Sequence, residues 1–441
     1  MKTTLTNCTI LTVDGSDHFY PRGRMVVEGK TICAVGSEED IPLEGDVVDL
    51  EGGLVMPGLI NTHTHSHSSL FKNQADDLKL MDWLQKAMWP MEKHLSSERS
   101  YAATALSCME YLKGGITTIA DQFYYSDTTA RAASASGIRS FLAATVFTNP
   151  CAETDDTMGA AVKFVQDWHG KSEETRIYPC IGPHAPYSVS ADLFRECVKL
   201  SEEYNLILHT HISETEDENA QIREKTGKSP TGWMEELGVL SRHVIAAHSV
   251  HLDQEDLALY AKYGVNASYN PVSNLKLVSG VMPMKDMISL GIPFSIGTDG
   301  AQSNNSMDLL RDLRTGALLQ KLVNNDATLL DARQSVHLVT IEGAKALGME
   351  EQIGSLEVGK RADWICLDTT SPRLVPLHRE HLNNLYATVT YSACGADVLH
   401  VMVDGNWVVK NGALLTMDEN QVRTEAQTAS EYLVKHANII T

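Results

Sequence analysis

The sequence predicts an α/β protein: a (β/α)8 barrel of the TIM type, with a small sheet domain assembled from both ends of the chain. Three observations predict it. Eight short apolar runs alternate with longer amphipathic stretches through the middle of the chain. Two β-rich segments with Gly and Asp-Gly turns flank that middle. Several of the apolar runs end in a residue that can ligate a metal, which places such residues at the C-terminal mouth of the barrel strands. A doubly wound open sheet is the other architecture that alternating strands and helices permit.

The elements follow in chain order. In residues 1–53, TLTNCTILTVDG, GRMVVEGKTICAVG and GDVVDLEGG each pair apolar alternation with a Gly or Asp-Gly stop. Eight candidate strands come next: LVMPGLINTHTH, GITTIADQF, IRSFLAATVF, RIYPCIGPHA, LILHTHIS, VIAAHSVH, VNASYNPV and PFSIGTDG. Between them, SERSYAATALSCMEYLKGG, ADLFRECVKLSEEYN and NSMDLLRDLRTGALLQKLV place apolar residues at helical spacing with charges between. These units occupy residues 54–354. From 355, GSLEVGKRADWICLD and LHVMVDGNWVVKNGALL resume the strand–turn–strand texture, and the residues from about Asp418 read as a polar helix. The expected division is therefore 1–53 and 355–441, terminal helix included, around a barrel of 54–354.

Composition narrows the function. The chain has 441 residues and a formal net charge of −21. That acidity argues against a nucleic-acid or anionic-membrane partner. The eight cysteines are scattered with no C-x-x-C pair, the pattern of free thiols in a reducing compartment. The first residues lack a signal-peptide pattern, and no apolar stretch is long enough to span a bilayer. A cytoplasmic protein acting on a small molecule is the expectation.

The strand ends carry the chemistry. His63 and His65 lie two apart on the first run, so both imidazoles face one side. His184 ends the fourth run, His211 the fifth, His248 the sixth and Asp299 the eighth. One of these alone reads as a hydrogen-bonded structural residue. Together, on independent strands, they read as a metal site, since a buried charge needs a partner. Three histidines and a carboxylate suit Zn²⁺ with one position open for water, and Fe²⁺ tolerates the same ligands. Glu214, three residues beyond His211, is suited to proton transfer beside such a metal. His67, His209 and His251 read as supporting residues. Asp76 and Asp77 read as helix-capping residues.

These residues resemble the amidohydrolase superfamily, and within it the branch of 5-methylthioadenosine/S-adenosylhomocysteine deaminases and triazine chlorohydrolases. The matching segments run in order over nearly the whole chain: MPGLINTHTH, ADDLKLMDWLQKAMWPME, GGITTIADQFYY, GPHAPYSVS, HTHISET, AAHSVHL, NPVSNLKL, GTDGAQSNNSMDLL and GSLEVGKRADWICLD. The resemblance implies that His63, His65, His211 and Asp299 bind one divalent metal, usually zinc. It implies that Asp299 takes a proton from the attacking water, that Glu214 delivers it to a ring nitrogen, and that His248 contacts the developing oxyanion. It places His184 against substrate and Glu92, in WPMEKHL, on ribose hydroxyls. It makes the flanks a small β-sandwich, and relatives are often dimers or tetramers.

One departure bears on substrate. The deaminase group usually carries arginines just after the third strand, one of which holds the amino-acid carboxylate of S-adenosylhomocysteine. Here FLAATVFTNPCAETDDTMGAAVKF has no Arg and carries Glu153, Asp155 and Asp156. An anionic tail would be repelled there. The expected substrate is therefore a neutral aminated nucleoside or heterocycle, such as adenosine, 5′-deoxyadenosine or methylthioadenosine, deaminated with release of ammonia. The other readings are a hydrolytic dehalogenase or aminohydrolase of triazines, guanine, pterin or cytosine, and a non-catalytic scaffold. Glu214 favours deamination, because ammonia needs protonation to leave more than chloride does. The full ligand set argues against the scaffold.

Overall fold

The computed structural model describes residues 2–74, 76–78, 83–150 and 154–437. The strands, in order, are β1 (Lys2–Leu11), β2 (Phe19–Glu28), β3 (Thr31–Ser37), β4 (Asp46–Asp49), β5 (Leu54–Pro57), β6 (Leu59–His65), β7 (Ile116–Phe123), β8 (Arg139–Val146) and β9 (Ile177–Pro183). They continue with β10 (Leu208–Ile212), β11 (Val244–His248), β12 (Asn266–Tyr269), β13 (Phe294–Ile296), β14 (Asp299–Gly300), β15 (Trp364–Leu367), β16 (Val398–Val403), β17 (Asn406–Lys410) and β18 (Ala413–Leu414).

Strands β6 to β14 make one sheet in the order β13-β12-β11-β10-β9-β8-β7-β6-β14. β13 and β14 are two halves of a single run, interrupted at Gly297–Thr298. The first half pairs in parallel with β12, and the second pairs in parallel with β6, with Asp299 opposite Thr64 and Gly300 opposite His65. The sheet therefore closes on itself as an eight-stranded barrel, as the eight apolar runs predict. Nearly every residue of these strands is buried, as expected when side chains fill the interior and helices cover the outside.

The intervening helices start and stop where the sequence marks them. Ser97–Lys113, Ala191–Tyr204 and Leu309–Val323 fall on the three amphipathic stretches. Ser190 caps the second through the Leu193 amide, and the helix buries Phe194, Cys197 and Leu200 at spacings of three.

The first run behaves unexpectedly. LVMPGLINTHTH reads as one strand, yet it serves two sheets. β5 pairs with β1 and β15, and β6 enters the barrel. The change happens at Gly58, where a Cβ would lie 2.2 Å from the Thr117 hydroxyl and 2.3 Å from its methyl. A period of two cannot show such a break, because both halves are buried and apolar.

The chain forms two compact units. One comprises Met1–Asn61, Met109–Thr118 and Asp308–Asp418. It holds a mixed nine-stranded sheet from both chain ends, with the order β18-β17-β16-β15-β5-β1-β2-β3 and β4 beside β1. Leu5, Ile10, Met25 and Ile32 share its core with Trp364, Cys366 and Met402. The other comprises Thr62–Cys108, Ile119–Met307 and Glu419–Thr441. Within it the terminal helix Glu419–Ala437 buries Ala426, Ala429 and Leu433 against Leu70, Phe71, Met91 and Leu95. Ser430 donates to the Leu70 carbonyl at 2.7 Å. No described helix is long and apolar enough to cross a membrane, and the described cysteines are all free thiols.

Gly58→Ala is expected to destabilise the protein by about 2 kcal/mol, the usual cost of overpacking a site whose neighbours are themselves held. A fall in the urea midpoint would report this. A midpoint equal to wild type would show that Thr117 can move aside.

Candidate metal centre and active site

The sequence-predicted residues converge at one end of the barrel. His63 and His65 close β6, His211 lies in β10, His248 ends β11 and Asp299 opens β14. The His63 ring centroid is 4.8 Å from that of His65, 4.9 Å from His211 and 5.5 Å from His248. Asp299 Oδ1 is 3.5 Å from His63 Nε2 and 3.3 Å from His65 Nε2. Among the described residues, two groups are close enough to share a cation: His63, His65 and Asp299, and His63, His211 and His248. The donor set of imidazoles and one carboxylate suits a divalent ion such as zinc.

The second nitrogen of each ring decides what the first can do. His65 Nδ1–H donates to the Gln122 carbonyl at 2.6 Å, and His211 Nδ1–H donates to the His184 carbonyl at 2.7 Å. Both rings then present an Nε2 lone pair. His63 Nδ1 is 2.8 Å from His209 Nε2, so His209 supports a ligand as its position two residues from His211 suggests. His248 differs. The side-chain amides of Asn274 and Asn270 donate to its Nδ1 at 2.9 and 3.3 Å. The neutral ring therefore carries its proton on Nε2, which makes His248 a donor to the site.

Burial sets the charges. Desolvation pushes His63 down to about 3 and His248 to about 4, and it holds His209 and His211 well below the usual histidine range. Neutral rings are the ligating form. Burial alone would raise Asp299, but the His63 hydrogen bond and the surrounding imidazoles outweigh it and hold the carboxyl well below its usual range. Its Oδ2 also accepts from Ser273 at 2.5 Å and Ser303 at 2.9 Å, and its Oδ1 from the Gly300 amide at 2.7 Å. Glu214 goes the other way. Burial, then the charge of Asp299, pushes it up to about 8, so it holds a proton at neutral pH. Its Oε2 lies 3.7 Å from His248 Nε2.

Backbone strain collects at the same place. Ser213, His248, Ser249 and Asp299 all have positive φ, at 54°, 71°, 51° and 60°. Non-glycine residues adopt this region only when their surroundings impose it. A cavity of about 410 Å³ lies past the turn that carries Glu214, lined by Thr215, Glu216, Asp217, His251 and residues 277–280; its described lining includes none of the metal-competent residues.

Other sequence-predicted residues fall as follows. His184 stacks on Phe147 at 4.5 Å, meets His211 at 4.8 Å and bonds Ser188 through Nδ1 at 2.7 Å. Burial pushes it down to about 3. Glu92 closes the short helix Trp89–Glu92 and is half-buried, outside both metal-competent groups. His67 packs on Phe123, and His251 Nε2 donates to the Ser279 carbonyl at 2.5 Å. Asp76 pairs with Lys276 and accepts from Asn305 at 3.2 Å, and the helix start that the sequence expects Asp76 and Asp77 to cap lies outside the described residues. Asp156 also serves as a cap, accepting from the Gly159 amide at 2.8 Å, and Glu153 lies outside the described residues.

Sequence reading assigned no role to Asn270, Asn274, Ser273, Ser303 or Glu218. A signal existed for three of them. Asn270, Ser273 and Asn274 sit three and four apart at the start of the helix Pro271–Lys276, hence on one face.

Comparison with known proteins fits this geometry. Residues 54–408 match the Amidohydrolase family. The chain belongs to that family. It is 38% identical over 439 residues to a 5-methylthioadenosine/S-adenosylhomocysteine deaminase of Desulforudis audaxviator, covering 99% of this chain and 100% of the relative. It is 39% identical to a 5′-deoxyadenosine deaminase of Methanosarcina acetivorans, covering 98% of each chain. Among solved structures, an adenosine deaminase from Xanthomonas campestris with bound zinc superimposes with a TM-score of 0.93 at 30% identity, over 98% of both chains. This amidohydrolase is thus like deaminases along its whole length.

Buried neutral histidines make the metal-free protein acid-sensitive. Their folded pKa values lie below the unfolded value near 6.5, so the unfolded chain binds more protons between the two. Stability after chelation is expected to hold above about pH 7 and to fall as pH drops from about 6.5 towards 4. Urea midpoints across that range measure it. A flat profile would mean that the rings take up protons without unfolding.

Proposed function

We propose that this chain is a metal-dependent aminohydrolase that deaminates a neutral adenosine-type nucleoside and releases ammonia. The observation that carries the reading is the opposition of two carboxyls. Glu214 holds a proton at neutral pH and Asp299, held ionised, can accept one, with an Nε2–H donor from His248 beside them.

The divalent ion, zinc by analogy with the Xanthomonas structure, would be held by His63, His65, His211 and Asp299, and would supply Lewis acidity that lowers the pKa of the attacking water. The chain's own residues do the rest. Asp299 takes a proton from water as its oxygen bonds to the amine-bearing carbon. Glu214 protonates the adjacent ring nitrogen, which lets that carbon become tetrahedral. His248 donates Nε2–H to the oxygen as charge develops on it. The proton on Asp299 then passes to the amine, ammonia leaves as the C–N bond breaks, and the hydroxyl proton returns to Glu214 as the carbonyl forms. His184 would contact the substrate, and Glu92 would bind ribose hydroxyls.

A neutral substrate fits the stretch after β8, FTNPCAETDD, which carries Glu153, Asp155 and Asp156 and no Lys or Arg. A carboxylate tail would meet like charge there. This favours 5′-deoxyadenosine, methylthioadenosine or adenosine over S-adenosylhomocysteine.

Two tests follow. Zinc-loaded protein should release ammonia from neutral adenosine derivatives in preference to S-adenosylhomocysteine, chelation should abolish release, and Glu214→Ala should lower kcat about 10²–10⁴-fold. Equal turnover of S-adenosylhomocysteine would overturn the neutral-substrate reading, and silence across all nucleosides would overturn the deaminase reading. Asn274→Asp should offer His248 Nδ1 an acceptor, move the ring proton there and lower kcat about 10²–10³-fold. An unchanged kcat would show that the Nε2 proton does not contribute.

A further inference from the structure

The turn that carries Glu214 is held by a residue that nothing in the chemistry above uses. Glu218 is only 4% exposed, although it lies near the start of a helix, Glu216–Thr226, that is mostly polar. Its two carboxylate oxygens are turned back along the chain. Oε1 accepts from the Ser213 amide at 3.0 Å and Oε2 from the Glu214 amide at 2.8 Å, and the Thr215 amide adds to them. Its own amide donates to Thr215 Oγ1 at 3.1 Å. The other side of the same peptide is also gripped: the Ser213 carbonyl accepts from Val250 at 3.0 Å and His251 at 2.9 Å. The clamped residue, Ser213, is the one with φ of 54°.

The geometry points to Glu218 as the positioning residue for Glu214. This rests on the reading of Glu214 as the proton donor. A serine in the left-handed region costs energy and would relax to an extended conformation if left alone. Relaxation would swing the following residue, Glu214, away from His248. Two hydrogen bonds from successive amides into the two oxygens of one buried carboxyl hold the peptide planes in the strained orientation. The carbonyl bonds to Val250 and His251 tie that turn to the end of β11, which carries His248. Glu218 thus fixes the proton donor relative to the hydrogen-bond donor without touching substrate.

A double-mutant cycle with amide exchange tests this. Glu218→Ala should lower kcat about 30- to 100-fold, the effect of misplacing a reacting group by about 1 Å, with KM within threefold and zinc content unchanged. In a Glu214→Ala background the same change should cost no further activity, because a positioning residue acts only through the group it positions. Hydrogen exchange in a peptide covering residues 211–217 should speed up about tenfold or more. Glu218→Gln keeps the shape but turns an NH2 towards a backbone N–H. It should lose about tenfold in kcat, and it serves if the alanine variant does not fold. Wild-type kcat in the variants, or losses that multiply across the cycle, would overturn the proposal. Faster exchange in a protein that deaminates no nucleoside would leave the clamp standing and sink the deaminase reading instead.

Discussion

The site depends on how the eighth strand joins the first. The run Pro293–Gly300 pairs with β12 through its first half and with β6 through its second, and the shift happens at Gly297–Thr298. Gly297 is required at that point, since a Cβ would lie 2.7 Å from the His63 carbonyl oxygen and 2.8 Å from the His63 Cβ. The close approach lets the strand end beside both histidines, so Asp299 reaches two imidazoles from one carboxylate oxygen. Without that register the carboxylate would end among apolar strands with no compensating partner.

Around this junction the side chains are buried and their protons fixed in place. Rings buried this deeply stay neutral, and backbone carbonyls or amide side chains determine which nitrogen is protonated. The consequence is a division of labour among chemically identical residues. His65 and His211 present lone pairs because carbonyls take their other proton. His248 presents a proton because Asn270 and Asn274 supply one to its other nitrogen. The two carboxyls are separated in the same way. Serine hydroxyls and imidazoles keep Asp299 ionised, whereas at Glu214 burial and the charge of Asp299 outweigh the Ser279 hydrogen bond and the His65 ring, so it holds its proton.

Much of this was legible in the sequence. An apolar strand that ends in a histidine or aspartate announces both its direction and its mouth, so the eight strands and the converging residues could be read directly. The supporting residues were harder. His209 bonds His63 across 146 positions, and Asp299 is held by Ser273 and Ser303 from two different segments. Serine and asparagine near strand ends are common enough as turn formers that composition does not separate a turn from a support. Gly58 was invisible for a different reason: both sheets that it separates demand the same apolar residues. Asp156 has a further role that the acidic stretch did not announce, since its side chain also caps the helix Thr157–Trp168.

The packing of the terminal helix has a temporal meaning. Ala426, Ala429 and Leu433 seal a core whose other wall is formed by Leu70 and Phe71, a few residues beyond His65. A ribosome releases those walls more than 350 residues apart, as the separation of 360 positions between Leu70 and Ser430 shows. During synthesis the part of this cluster that the terminal helix covers must wait until nearly all the rest of the chain has emerged, although Met91, Leu95 and Ala103 are available early. Nascent chains of this enzyme therefore carry an open hydrophobic seam for most of their translation, a natural point of engagement for chaperones.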